Sequence, residues 1–293
     1  MSISFDGRVA IVTGAGGGLG REHALGLAQR GAKVVVNDLG PGAQAVADEI
    51  KAAGGQALAV SCSVTDFDAV QAMVKTTMDT WGRVDILVNN AGILRDKSFS
   101  KMEMADFKLV VDVHLMGAVY CTKAVWDIMR AQKYGRIVNT TSSSGLYGNF
   151  GQSNYGAAKM ALVGLMQTLS IEGAKDNIKV NCLAPTAATQ MTEGLMPQVV
   201  LDALKPAAVT PGLLYLVSED APSRVILNAG AGTFERAYVT MTKGVHIGMV
   251  DDADDQVAAQ FEAISDRDEE VVPQSGSEQG RNEVGQAMAA AQK

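Results

Sequence analysis

Short aliphatic and β-branched runs alternate along this chain with longer stretches whose apolar positions recur every three or four residues. Runs at 8–13, 33–37, 57–61, 86–89, 136–140, 178–183 and 225–228 read as strands. Stretches at 20–30, 43–53, 66–81, 104–132, 154–174 and 211–218 read as helices, with 104–132 broken or capped before Asp106. Nearly unbroken apolar strands alternating with helices predict a parallel sheet covered on both faces. Right-handed crossovers then make an α/β doubly wound sheet, the Rossmann fold. The pattern loosens after Pro185, where Met191 and Met196 lie in an apolar, irregular stretch that suits either a flap over a substrate or the filling of a core gap. From Asp251 onward the chain is acidic and weakly periodic. The expectation is one domain over residues 1–250 and an acidic C-terminal extension over 251–293, not a separate domain, with a short helix near 281–291.

Two local patterns carry chemistry. The first strand runs into Thr13-Gly14-Ala15-Gly16-Gly17-Gly18-Leu19-Gly20 and then a helix. Such a loop lets backbone N–H groups approach a pyrophosphate at the positive end of the helix. Asp38 follows at the end of the second strand, where a carboxylate accepts from ribose hydroxyls and repels a 2′-phosphate. This favours NAD over its phosphorylated form, although Arg21 lies close enough in sequence to tolerate a phosphate, and a turn aspartate is the plain alternative.

In the second pattern, Tyr155 and Lys159 are four residues apart on a predicted helix, so they share a face. A free phenol has a pKa near ~10, and a neighbouring cation favours the phenolate. Lowering it to about 7 corresponds to roughly 4 kcal/mol. Ser142, earlier in the chain, is placed to hydrogen-bond the same substrate oxygen. A tyrosine and a lysine at this spacing also occur on helices by chance; the glycine loop upstream is what gives the pair weight.

Composition narrows the class. The chain has 293 residues, 47% hydrophobic and 19% charged, with a formal charge of −7. An acidic balance argues against nucleic-acid binding. Cys62, Cys121 and Cys182 are widely spaced, fit no metal site and read as reduced thiols. We read no membrane-length apolar stretch and no signal peptide, and expect a cytoplasmic enzyme with no metal.

Together, Thr13, Gly14, Gly18 and Gly20, Asn89-Asn90-Ala91-Gly92, Ser142, and Tyr155-Gly-Ala-Ala-Lys159 resemble the short-chain dehydrogenase/reductase family over about residues 5–232. The resemblance implies a nicotinamide enzyme in which Tyr155 is the acid/base, Lys159 lowers its pKa and holds the ribose, and Ser142 orients substrate. It further implies a cofactor site of Gly14, Gly18, Leu19, Gly20, Asp38, Ser63, Val64, Asn90, Ala91, Gly92, Tyr155, Lys159 and Pro185. His114 stands where the family usually has an asparagine that holds a water, and Ser63 where it has an acid near the adenine. Thr186 and Gln190 replace a glycine and a threonine, leaving Thr189 or Thr192 to contact the carboxamide. The segments 37–40, 89–98 and 147–155 are similar to the (3R)-hydroxyacyl-CoA dehydrogenase domains of the multifunctional enzymes of β-oxidation. That branch implies an acyl-CoA substrate, of fatty-acid or steroid side-chain origin, with a 17β-hydroxysteroid or a 3-oxoacyl carrier-protein substrate as the alternative. Arg95 and Lys97 are either contacts for CoA phosphates or solvated charges. A non-catalytic nucleotide-sensing protein on the same fold is the rival class. The family also implies a dimer or tetramer joined through helices at 104–132 and 154–174, where Gly117, Ala118, Ala157, Ala158, Ala161 and Gly164 permit close contact or simply pack on the sheet.

Overall fold

A computed structural model describes residues 2–188 and 197–292. The flap methionines Met191 and Met196, together with Thr189, Gln190 and Thr192, lie outside the described residues. The chain divides into two units, Met1–Arg236 and Ala237–Lys293. The sequence reading places this change at Asp251.

The first unit is built on strands β1 (Val9–Thr13), β2 (Lys33–Asp38), β3 (Gln56–Ser61), β4 (Ile86–Asn89), β5 (Gly135–Thr140), β6 (Ile178–Thr186), β7 (Ile226–Gly230) and β8 (Thr233–Ala237). Their order in the sheet is β3-β2-β1-β4-β5-β6-β7-β8. The registers from β3 across to β7 are parallel, so every crossover is a helix, as the alternation predicts. The order reverses between β1 and β4, and a crevice opens at the carboxyl ends there. β8 departs from the expected all-parallel sheet. Only Ala231 and Gly232 connect it to β7, both at positive φ, and a two-residue link of this kind makes an antiparallel hairpin.

Nine helices are described before β8: α1 (Gly18–Gln29), α2 (Gly42–Ala52), α3 (Phe67–Trp81), α4 (Met104–Val111), α5 (Gly117–Gln132), α6 (Ser143–Tyr147), α7 (Ser153–Gly173), α8 (Gln198–Ala203) and α9 (Thr210–Leu216). α6 is too short to show a period and is not read from the sequence. α4 and α5 are one continuous rod, joined by a π-helical turn over Asp112–Met116. That rod corrects the membrane expectation. Met104–Gln132 is 29 residues long and contains an 18-residue window with a mean hydropathy of 1.3, enough to cross a membrane by length and composition. Its charged residues fall toward its two ends, and it packs on α3, α7, β4 and β5, with 39% of that window buried within the protein. Of the small residues expected at a helix interface, Gly117, Ala118 and Ala158 are buried within the protein, whereas Ala157 and Gly164 face outward.

β6 extends beyond the expected 178–183 and runs through Pro185. A proline is tolerated there because pairing with β5 ends at Thr140 and Leu183, so beyond that point only the β7 side is bonded.

The second unit contains α10 (Ala253–Ala259), α11 (Phe261–Ile264) and α12 (Ser277–Ala290), which begins four residues before the expected short helix. Met241 and Val271 exchange backbone hydrogen bonds of 2.9 and 3.0 Å. No described residue of this unit is buried.

At the amino end of the sheet, Asp85 is fully buried. It accepts from Val9 N (2.9 Å), Arg8 Nη1 (3.2 Å), and Arg83 Nε and Nη2 (2.7 and 2.6 Å). Removing one partner of a buried ionic cluster leaves desolvated donors unpaired, at about 3–5 kcal/mol. Asp85→Ala is therefore expected to lower unfolding free energy by that amount in denaturant titration; a loss within experimental error of zero contradicts this role.

Candidate active site

The carboxyl ends of β1, β4 and β5 carry the predicted residues, and short polar ties set their spacing. Thr13 Oγ1 donates to Val88 O (3.3 Å) and accepts from Asn90 N and Ala91 N (3.0 and 3.1 Å). Asn90 Nδ2 donates to Thr13 O and Gly14 O, both at 3.0 Å. Asn90 thus spends its amide on clamping the glycine loop to β4. Gly14, at φ +62, requires a residue without a side chain, since a Cβ there would sit 2.7 Å from Ala91 Cα.

The loop fits a dinucleotide. The first turn of α1 has no side-chain cap and no acidic residue, so its N–H groups are available to an anion, and Gly17 faces open space. Asp38 lies at the end of β2 as expected. One of its oxygens accepts from Gly16 N (2.9 Å) and the other from Gly40 N (3.1 Å). Each carboxylate oxygen has a second lone pair for a ribose hydroxyl. Arg21 is committed elsewhere: it pairs with Glu22 and Glu49 at 2.5 and 2.6 Å. Ser63 Oγ lies 2.8 Å from Thr65 Oγ1, and Val64 packs against Gly117 of α5. Leu19 and Pro185 are both half-buried, on the first turn of α1 and near the end of β6.

Tyr155, Lys159, Ser142 and His114 converge. Ser142 caps α6, accepting from Ser144 N at 3.1 Å, and its hydroxyl lies near enough to the Tyr155 phenol to favour the phenolate. Lys159 Nζ lies 5.4 Å from the centre of the Tyr155 ring and donates to Thr140 O at 2.5 Å. The His114 ring meets the Tyr155 ring edge-on at 5.1 Å.

The phenol does not shift as the sequence suggests. Burial pushes Tyr155 above its ordinary value, opposed by the nearby Ser142 hydroxyl and reinforced by the Asp96 charge. Burial also lowers Lys159, to about 7. The simple picture of an ammonium lowering a phenol omits the cost of burying both charged forms.

His114 is buried, and burial together with the Lys159 charge lowers it to about 3, so it is neutral. Its Nε2 lies 2.7 Å from Ile93 O and 3.0 Å from Ile93 N. One nitrogen cannot serve both, and the shorter contact favours donation to the carbonyl. Nδ1 is then an acceptor without a partner among the described residues. The π-helical turn sets the ring's direction, a feature that single-sequence periodicity does not show.

Arg95 pairs weakly with Asp106 at 3.7 Å, while the Lys97 side chain is exposed. Sequence reasoning missed Gln152, Asp96, Thr140 and Thr141; Thr141 Oγ1 donates to Lys159 O at 2.6 Å. Only the position of Gln152, three residues before Tyr155, offered a signal. A separate recess of about 690 Å³ lies at the opposite end of the sheet, among Ser4, Arg30 and Lys33, away from this chemistry.

Gly92 leaves room for the histidine: a Cβ there would lie 2.3 Å from His114 Cε1. Gly92→Ala is expected to cost about 1–3 kcal/mol through overpacking. Combining it with His114→Asn should cost clearly less than the two single changes summed, a coupling measured by a double-mutant cycle. Additive losses contradict the contact.

The family model for short chain dehydrogenase matches residues 8–199. The chain is 49% identical over 253 residues to peroxisomal multifunctional enzyme type 2 of Drosophila melanogaster, covering 83% of this chain and 42% of that protein. The full-length structure of that enzyme superposes with a TM-score of 0.84 at 39% identity, covering 97% of this chain and 50% of that one. The present chain therefore spans about half the length of this relative or less. A putative short-chain type dehydrogenase/reductase of Mycobacterium tuberculosis is 47% identical over 271 residues, covering 88% of this chain and 94% of that protein. A 7α-hydroxysteroid dehydrogenase solved with NADH and 7-oxo glycochenodeoxycholic acid is similar at 32% identity, with a TM-score of 0.73 over 78% of this chain and 95% of that one. With this match and the site that its folded residues build, the chain belongs to the short-chain dehydrogenase/reductase family, nicotinamide-dependent oxidoreductases acting on CH–OH groups.

Proposed function

We propose that the chain interconverts a (3R)-hydroxyacyl-CoA and the corresponding 3-oxoacyl-CoA, using NAD. The observation that carries the chemistry is the phenol of Tyr155, set near the Ser142 hydroxyl and flanked by a buried lysine. A nicotinamide dinucleotide held by the Gly14–Gly20 loop and Asp38 would supply the hydride acceptor for the carbinol carbon. Ser142 and Tyr155 hold the substrate oxygen between them, and Tyr155 takes or returns its proton. Since burial raises this phenol, the fold alone favours the protonated form, which donates to a ketone oxygen in the reductive direction. Oxidation requires the tyrosinate, which positive charge beside the ring stabilises. Lys159 supplies that charge below its pKa of about 7.

Asp38 supports NAD, since its carboxylate sits at the ribose end of the loop and Arg21 is held by two glutamates. The acyl-CoA assignment rests on similarity to the multifunctional enzymes, and a hydroxysteroid remains the second reading on the likeness to the 7α-hydroxysteroid enzyme. A homo-oligomer is supported by outward-facing Met160, Gly164 and Ile171 on α7. We further propose that residues 1–250 form the dehydrogenase proper and 251–293 its extension. For the compartment we retain the cytoplasm, with the peroxisome as the alternative suggested by the Drosophila relative's name.

Purified protein assayed with NAD and NADP against (3R)- and (3S)-hydroxyacyl-CoA and hydroxysteroids should turn over the (3R)-acyl-CoA with NAD most efficiently. Tyr155→Phe should bind NADH normally and lose on the order of 10³-fold or more in kcat. Near-normal turnover in that variant refutes the assigned acid, and a preference for steroids or NADP refutes the substrate or cofactor assignment.

A further inference from the structure

One layer out from Tyr155 and Ser142 lies a second polar network whose centre is Gln152. This residue caps α7, and its carbonyl accepts from Gly156 N at 2.7 Å. Its side-chain Oε1 accepts from Ser144 Oγ (2.7 Å) and Asn149 Nδ2 (3.1 Å). Its Nε2 donates to Asp96 Oδ2 at 2.7 Å. The amide orientation follows from these partners, because a carboxylate has no proton to give and Asn149 Nδ2 can only donate.

Three chain segments meet at this one carboxamide. α6 starts at Ser142, whose Oγ accepts from the N–H of the same Ser144 that donates its hydroxyl to Gln152. α7 carries Tyr155. The loop after β4 carries Asp96, and its Ile93 backbone holds His114. Two further ties bind this loop to the start of α7: Lys97 N donates to Gly151 O at 2.9 Å, and Asn154 Nδ2 to Arg95 O at 3.0 Å.

We propose that Gln152 is a positioning residue for the reaction: it fastens α6, whose cap is Ser142, and the Asp96 loop to the start of α7, and so sets where Ser142 and that loop stand relative to Tyr155. The inference rests on the reading of Tyr155 as the acid/base. Around Tyr155 stand Ser142, the cap of α6, His114 from the π-helical turn and Lys159 from α7 itself, while Asp96 on the loop acts on the phenol through its charge. His114 is neutral at working pH and Lys159 titrates near 7, which leaves Asp96 as the negative charge in this set. Its charge holds the phenol up. Glutamine suits the position because it accepts on one side and donates on the other. A glutamate of the same length would set its charge against Asp96.

The test uses Gln152→Glu, Asp96→Asn and the two combined, each assayed for kcat, KM and their pH dependence, with NADH binding and Tm as controls. Gln152→Glu should lower kcat about tenfold or more with little change in KM, because its side chain is taken up by Ser144, Asn149 and Asp96 and acts through the residues it holds. The double variant exchanges the acid and the amide without changing side-chain length, and should recover kcat to within about threefold of the parent. Asp96→Asn keeps the hydrogen bond through its amide oxygen and should move the pH profile of oxidation toward lower pH. Unchanged kcat in Gln152→Glu overturns the proposal. So does a double variant no better than Gln152→Glu despite normal Tm and NADH binding, or an Asp96→Asn profile that superimposes on the parent's. Asp96 is exposed, so its isosteric change keeps the test alive if Gln152→Glu does not fold. An active Tyr155→Phe variant marks failure of the acid/base reading itself; an inactive one alongside indifferent Gln152 and Asp96 variants sinks this inference alone.

Discussion

A lysine buried beneath the end of β5 constrains the whole reacting end of the molecule. Among the described residues, no carboxylate pairs with Lys159, and its ammonium is met by a backbone carbonyl, Thr140 O, at 2.5 Å. A charge in that position is costly, and the fold accommodates it by letting it titrate near neutrality. Holding the lysine there fixes α7. Thr141 ties the helix backbone to β5, and Gly145 lets α6 lie directly on it, since a Cβ at that glycine would come within 2.8 Å of Lys159 Cβ. Tyr155, one turn earlier on α7, is carried to its place by the same constraint.

Burial acts on both partners in opposite directions. It withdraws charge from the lysine and keeps the proton on the tyrosine. Neither group is a strong ion in the free fold. The site is a poised pair rather than a preformed ion pair, and modest changes of charge nearby decide the protonation state. That gives weight to the surrounding neutral donors and acceptors: Ser142, the neutral His114 and the backbone of Thr140.

The strands and long helices were legible because their patterns are local. β1 through β7 follow from aliphatic runs, and the glycine loop with Asp38 follows from spacing. What escaped depends on tertiary context. The π-helical turn that aims His114 has no period of its own. β8 needs a hairpin with Ala231 at φ 49, a conformation that alanine does not advertise. The rod from Met104 to Gln132 was read as a long helix, and a break before Asp106 would shorten it by only two residues; what went unread was its hydropathy, high enough to cross a membrane. The direction of the phenol shift could not be read from an i,i+4 pair, since the pairing is local and the desolvation is not. Gln152 lay in a segment that drew attention only for its resemblance, and its role emerges when Asp96, far away in sequence, is folded against it.

The buried lysine can be observed directly. Protein carrying isotope-labelled lysine, titrated by NMR without cofactor, should show one side-chain resonance with a midpoint near 7, in line with the value of about 7 for Lys159, and that resonance should vanish in Lys159→Met. If every lysine titrates near its ordinary value of about 10.4, the ammonium is solvated, and the constraint on which this account of the site rests does not exist.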